Sequence, residues 1–296
     1  MSGGATLTVA NGGAVNLNGT TLGLSLAENA GSSGTLNIGG FGTNDAAGTV
    51  STPKIAFGAG TGTVNFNQSN STTISAPISG HGTVNQLGSG TTILMGSNSY
   101  TGTTTVSEGT LLANGSSALG TSTVSVTDMG TLGGNGTIVG ATTIASGAML
   151  AAGSGGVGSL TFSGGLNLEA GSTTMFQLHS TSDFTSINLT GGTAIYGGAL
   201  VFNLVDYVAS VGNEFTVFNM IEGATESGNF LSVQVGSSSL TYAAGVWRGS
   251  NEGVSYLFTD ATRQLRVESV PEPSTYALLG LGAIGMLVAL RRRRLA

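Results

Sequence analysis

Imidazoles, carboxylates and guanidinium groups are the side chains of this sequence that could move protons or hold charge, and they are few. The two histidines, His81 and His179, stand 98 residues apart in unrelated surroundings. A serine nucleophile needs a histidine that is itself held by an acid; with serine spread along the whole chain, a serine near either imidazole carries no information. Both read as surface histidines. Residues 1–194 contain one lysine, Lys54, no arginine, and six acids, Glu28, Asp45, Glu108, Asp128, Glu169 and Asp183, placed singly. Sugar cleavage calls for two acids at a defined separation, or acids clustered with Arg or Lys, and this spacing offers neither. The one local concentration is Arg248, Glu252, Asp260, Arg263 and Arg266. Weak surface ion pairs are their expected state; converged on a groove, they would suit an acidic glycan.

Two glycine-rich runs imitate ligand sites. Residues 39–45, Gly-Gly-Phe-Gly-Thr-Asn-Asp, are similar to a calcium-binding nonapeptide, but a ligand position holds Asn44 and no tandem copy follows. Residues 280–285 satisfy G-x-G-x-x-G without the strand and the ribose-binding acid that a dinucleotide site requires. No catalytic residue, cofactor or metal site is therefore expected. The absence of cysteine removes disulfide and thiolate chemistry. Half of the eight basic residues are Arg291–Arg294, so residues 1–270 oppose 13 acids with four cations. A body this acidic lacks the basic patch that neutralises phosphates, and nucleic acid is not an expected partner.

The elements that would position these groups are short strands. The chain has 296 residues, 51 of them glycine, and only 7% charged residues. From Gly4 to about Leu178 a unit recurs in which glycine precedes Thr or Ala and then alternating aliphatic and polar residues. Copies include Gly34-Thr35-Leu36-Asn37-Ile38, Gly62-Thr63-Val64-Asn65-Phe66 and Gly136-Thr137-Ile138-Val139. Period two places Leu36 and Ile38 on one face and Thr35 and Asn37 on the other, the pattern of a half-buried strand. Glycine at each junction permits a tight corner. Strands joined in this way stack as rungs of a solenoid, with Leu36, Ile38, Val64, Phe66, Leu111, Ile138 and Leu160 pointing inward and Thr, Ser and Asn facing water or forming ladders.

The expected fold is all-β: a right-handed parallel β-helix with a β-rich C-terminal cap and one C-terminal transmembrane helix. The alternative is an antiparallel sandwich or barrel. The expected divisions are a repeat region at 1–194, a cap at 195–268, where strands become longer and more aromatic, and a sorting tail at 270–296. In that tail Val270-Pro271-Glu272-Pro273-Ser274 precede an uncharged run, Thr275 to Leu290, and then Arg291, Arg292, Arg293 and Arg294. Prolines keep the first part extended. The run makes roughly 24 Å of helix, near the lower limit for a hydrocarbon core of ~30 Å. The arginines would stay on the cytoplasmic side. At the other end, Met1-Ser2-Gly3-Gly4 enters the repeats with no basic start and no hydrophobic stretch, so the start reads as truncated or misassigned.

Pro271-Glu272-Pro273, the short apolar span and the terminal arginines, in that order, resemble the PEP-CTERM sorting signal of Gram-negative bacteria. The resemblance covers about the last 27 residues. It implies transient insertion in the inner membrane, cleavage near Pro-Glu-Pro by an exosortase, an integral-membrane cysteine protease, and passage to the cell surface or beyond. A second resemblance lies within about 87–178. There Asn98-Ser99-Tyr100-Thr101-Gly102-Thr103-Thr104-Thr105-Val106, followed by Glu108-Gly109-Thr110-Leu111-Leu112, is similar to the autotransporter-associated β-strand repeat. It implies a secreted β-helical passenger. The expected function is an exported structural or adhesive protein associated with extracellular polysaccharide or a biofilm matrix, and not an enzyme. The alternatives are a glycan-binding or glycan-degrading β-helix and a true autotransporter passenger; no membrane-barrel pattern of alternating strands follows the repeats to favour the last.

Overall fold

The computed structural model describes residues 3–19, 21–40, 45–221 and 223–269. Every regular element among them is a strand. A ten-stranded sheet takes one strand from each successive unit, beginning Gly4–Val9, Ser33–Ile38, Thr61–Phe66, Gly82–Gln86 and ending at Thr225–Gly228, all in parallel. A nine-stranded sheet interleaves with it from Ser71–Ile74 to Ser232–Val235, closed by the short antiparallel strand Ser238–Ser239. Further walls are a three-stranded sheet over the early units and a four-stranded sheet over the later ones. Long parallel ladders between consecutive copies of one unit are solenoid topology, not the antiparallel pairing of a sandwich. Parallel pairing runs on past residue 194, through Ala199–Leu204 and Ser232–Val235.

Each unit sits directly above the same positions of the one before, so inward residues form columns. One column of the ten-stranded sheet reads Leu7, Leu36, Val64, Val84, Thr104, Val124, Thr142, Leu166, Ala194. All seven residues expected to point inward are fully buried. Glycine has a packing role on the inner face, where the Phe57 ring occupies the space that Cβ atoms on Gly62 and Gly82 would need. A larger residue at either would displace that ring from a close-packed interior.

Outward residues also stack. Asn65 Nδ2 donates to Asn37 Oδ1 at 2.9 Å and Asn85 Nδ2 to Asn65 Oδ1 at 2.9 Å, while Asn37 Nδ2 reaches Thr8 Oγ1 at 3.3 Å. Stacking leaves Asn37 5% and Asn65 8% exposed, so these amides satisfy one another instead of facing water. None of the 24 strands from Gly4–Val9 to Ala199–Leu204 contains Asp, Glu, Lys, Arg or His. Every ionised group of that region lies at a corner.

Near the C-terminal end the core becomes aromatic. Phe176 stacks on Phe202 with ring centres 6.0 Å apart, Phe202 meets Phe258 at 5.8 Å, and Phe230 bridges Phe218 and Phe258. Phe258 belongs to an antiparallel five-stranded sheet of Glu214–Thr216, Thr241–Ala243, Val246–Asn251, Val254–Thr259 and Gln264–Glu268. Aromatic pairs of this kind carry the core from the last rungs into that sheet. No helix among the described residues is long and apolar enough to cross a membrane. The expected transmembrane run, Thr275 to Leu290, lies outside the described residues.

Candidate functional site

The residues assigned to sorting, Val270, Pro271, Glu272, Pro273 and Ser274 with the flanking Arg291, Arg292, Arg293 and Arg294, lie outside the described residues. So do residues 41–44, most of the calcium-like run. Chemistry in the described body is limited by where the fold puts its charges. His81 Nδ1 shares a 2.6 Å hydrogen bond with Thr101 Oγ1 of the next rung. His179 meets Asp183 through the backbone alone, its N–H donating to the Asp183 carbonyl at 3.0 Å across a hairpin. Stacking aligns Glu108, Asp128 and Glu169, far apart in sequence, along the single corner that joins the ten- and nine-stranded sheets. They still do not cluster: among the described residues, no three His, Asp or Glu side chains stand close enough to hold a metal ion.

The basic residues do not converge on a groove. Arg248 pairs with Glu268 at 3.1 Å and Arg266 with Glu214 at 3.2 Å, both exposed on the outer face of the antiparallel sheet, where such pairs are weak. Arg263 differs: its side chain is 6% exposed, with Nε 3.2 Å from Glu226 and Nη1 3.3 Å from Asp260, and its guanidinium lies over the Tyr196 ring. Glu226, Glu214, Glu268 and Tyr196 were not candidates in the sequence. Their partners come from other strands, so no local spacing announces them.

The run from Asn98 to Val106 is where the sequence signature is densest, and its geometry is that of a corner. Asn98 is 3% exposed. Its Oδ1 accepts the backbone N–H of Ile78 on the preceding rung at 2.7 Å, and its Nδ2 donates to the Ala118 carbonyl on the following one. One amide therefore satisfies orphaned backbone groups on both sides, as a turn without ladder bonds requires. Two residues on, Tyr100 is fully buried and its hydroxyl shares a 2.7 Å hydrogen bond with Thr104 Oγ1, itself 2.8 Å from Ser122 Oγ. Burial raises the phenol to about 12, against the smaller opposing effect of those hydroxyls. Gly102 has no room for a Cβ, which would fall on the Gly82 carbonyl oxygen. These signature residues hold rungs together, and none presents a reactive group to solvent.

The passenger-associated-transport-repeat model matches residues 84–113, which span this corner. A second model, the PEP-CTERM protein-sorting motif, matches residues 269–294. The chain carries a PEP-CTERM sorting motif. With it, this is an exported cell-surface protein of a Gram-negative bacterium, and the motif implies processing by an exosortase. Over 89 residues, 30% of its length, the chain is 45% identical to the "Adhesin BmaC autotransporter" of Brucella suis biovar 1 (strain 1330). That stretch is 3% of the adhesin, so the similarity is to a small part of a much longer protein. The repeat and the adhesin point to an adhesive or structural repeat protein.

Proposed function

We propose that this chain is a structural or adhesive protein of the cell surface, inserted transiently in the inner membrane, released by an exosortase and held in an exopolysaccharide or biofilm matrix. The observation that carries this reading is the sorting motif at 269–294, attached to a body whose signature polar residues are engaged in holding the fold. The partial likeness to an autotransporter adhesin supports the adhesive half. We read the coil as right-handed, the general hand of parallel crossovers, with residues 1–194 as its repeat region, 195–268 as a cap into which the parallel ladders continue as far as Ser232–Val235, and 270–296 as the sorting tail with its membrane helix. No hydrolase or lyase activity belongs to this reading, nor does nucleic-acid binding.

The test is incubation of the surface-released protein with neutral and acidic glycans, including polysaccharide from the producing bacterium. Reducing ends and unsaturated products are followed beside a binding readout. Retention on the matrix polysaccharide without products is the expected result. Turnover that survives repurification and disappears with Asp260→Ala or Arg266→Ala would favour an enzyme.

A further inference from the structure

We propose that the outer face of the nine-stranded sheet binds a second copy of this chain. The three long walls of the solenoid do not present the same chemistry outward. On the ten-stranded sheet the outward positions are Thr35 and Asn37, Thr63 and Asn65, Thr83 and Asn85, continuing through Thr105, Ser125, Thr143 and Asn167 to a single apolar residue, Ile195. On the four-stranded sheet they are Ser159, Thr161, Ser186, Asn188 and Asn219. The nine-stranded sheet has instead an outward column of Ile93, Leu112, Gly133, Ala151, Met175 and Val201, one residue from each of six successive strands. Each stands between buried inward neighbours, as Leu111 and Ala113 flank Leu112.

Methionine marks the same wall. Met149 and Met175 lie within it, Met95 follows Leu94 at the next outward position, and Met129 precedes Thr131 at the corner. Of the seven methionines of the chain, Met149 and Met175 face outward from this sheet, and Met95 and Met129 stand at its margins. Met129 is 77% and Met95 55% exposed. A flexible, polarizable thioether suits a contact surface that must adapt to its partner.

A second copy satisfies what this face demands of an occupant. The strands hold no charged residue, so two copies can meet with no buried ion and no like-charge repulsion. The apolar column is bordered by Thr73 and Gln234 at its two ends and by Thr91, Thr110 and Thr131 alongside, the arrangement of an apolar centre with a polar rim. Nine strands at about 4.8 Å, averaging about four residues or about 13 Å of length, present about 550 Å² per copy and about 1,100 Å² for two, above the roughly 1,000 Å² that a specific interface needs. Face-to-face packing of two sheets on their apolar sides is a standard way to cover such a wall.

The experiment is sedimentation velocity across a concentration series, using the protein in the form released from the bacterial surface. The expected result is a concentration-dependent dimer. Leu112→Glu combined with Met175→Glu should weaken it at least about 100-fold, since each copy would bury uncompensated charge, with thermal melting of the monomer unchanged. Thr105→Glu combined with Thr143→Glu, on the ten-stranded sheet, should leave the dimer intact. If the first pair does not fold, Leu112→Thr with Met175→Thr replaces it, and loss of the dimer is again expected. A protein that sediments as a monomer throughout, or a dimer that survives both Leu112/Met175 variants, overturns the proposal. Flotation of the monomer with phosphatidylcholine vesicles, abolished by those variants, would overturn it in favour of a lipid surface.

Discussion

The guanidinium carbon of Arg263 lies 4.0 Å from the centre of the Tyr196 ring, joining the turn before the last antiparallel strand to the ten-stranded sheet. Tyr196 closes an inward position of that sheet, and Glu226, on its final strand Thr225–Gly228, stands in register with buried Ala194. The inward column that runs from Leu7 to Ala194 thus ends in a carboxylate that Arg263 neutralises. A charge aimed inward on an edge strand also discourages further strand addition. Burial pushes the Tyr196 phenol well above its usual range, and the Glu226 carboxylate adds to the effect.

Arg263→Ala should destabilise the protein by about 3 kcal/mol, the lower end of the range for breaking a buried pair because Glu226 remains partly hydrated. Arg263→Lys should recover only part of this, since an ammonium cannot pair two carboxylates and stack on a ring at once. Denaturant unfolding measures both. Hydrogen exchange should place the first loss of protection in Thr225–Gly228 and Gln264–Glu268; uniform loss along the rungs would contradict the assignment.

Asn98→Ala should cost about 2–4 kcal/mol, because the Ile78 N–H and the Ala118 carbonyl are both left buried without a partner. Asn98→Asp should be at least as harmful: a carboxylate can accept from Ile78 but cannot donate to Ala118. Equal stability of the Ala variant and the parent in urea unfolding would remove the corner from its assigned role.

Tyr100 gives a pH dependence with a definite sign. Its folded pKa is raised to about 12 from an ordinary value of 10.0, so the unfolded chain releases this proton first as pH rises. The stabilisation is complete below pH 10 and is lost between pH 10 and 12. Tyr196 is raised as well and contributes to the same decline, so the informative quantity is a difference between variants. Subtracting the stability–pH curve of Tyr100→Phe from that of the parent should isolate a fall across that window.

Leu111→Asp should unfold the protein, whereas Thr110→Asp, its outward neighbour on Thr110–Ala113, should shift the thermal midpoint by no more than a few degrees. This pair probes how much of the fold was legible. Period-two alternation was enough to assign the inward set at Leu36, Ile38, Val64 and Phe66, because their neighbours are Thr and Asn. It fails where both neighbours are apolar. In Thr-Leu-Leu-Ala the sequence assigns Leu111 inward but does not mark its apolar neighbour Leu112 as outward, and in Met-Leu-Ala-Ala it assigns no side, so the apolar outer wall was hidden in runs that look like core. Stacking decides, and stacking is a relation between units about 20 residues apart. The same limit hid the ion pairs of the antiparallel sheet, where Arg266 faces Glu214 only after the chain has crossed the sheet. Asn98 and Tyr100 were legible as a signature but not as a mechanism, since the Asn98 partners Ile78 and Ala118 lie on the rungs before and after, and Tyr100 reaches Ser122 of the next rung only through Thr104.

Mass spectrometry of the surface-released protein should find a C-terminus near Pro273 and no peptide covering Arg291–Ala296. Intact tails on exported molecules would count against cleavage. Replacing Pro271 and Pro273 together by alanine should retain the uncleaved chain in the membrane fraction.

Outside the cell nothing buffers the surroundings of a protein. The strands from Gly4–Val9 to Ala199–Leu204 contain no side chain that ionises between about pH 4 and 9. Rain, brine or the acid of a fermenting neighbour therefore alters no charge within those ladders or on their flat walls. Such changes act only on the corners, on Glu226 of the final strand of the ten-stranded sheet and on the antiparallel sheet at the far end. The walls meet every habitat with the same face, a form of weatherproofing achieved by leaving out charge and adding no cross-links.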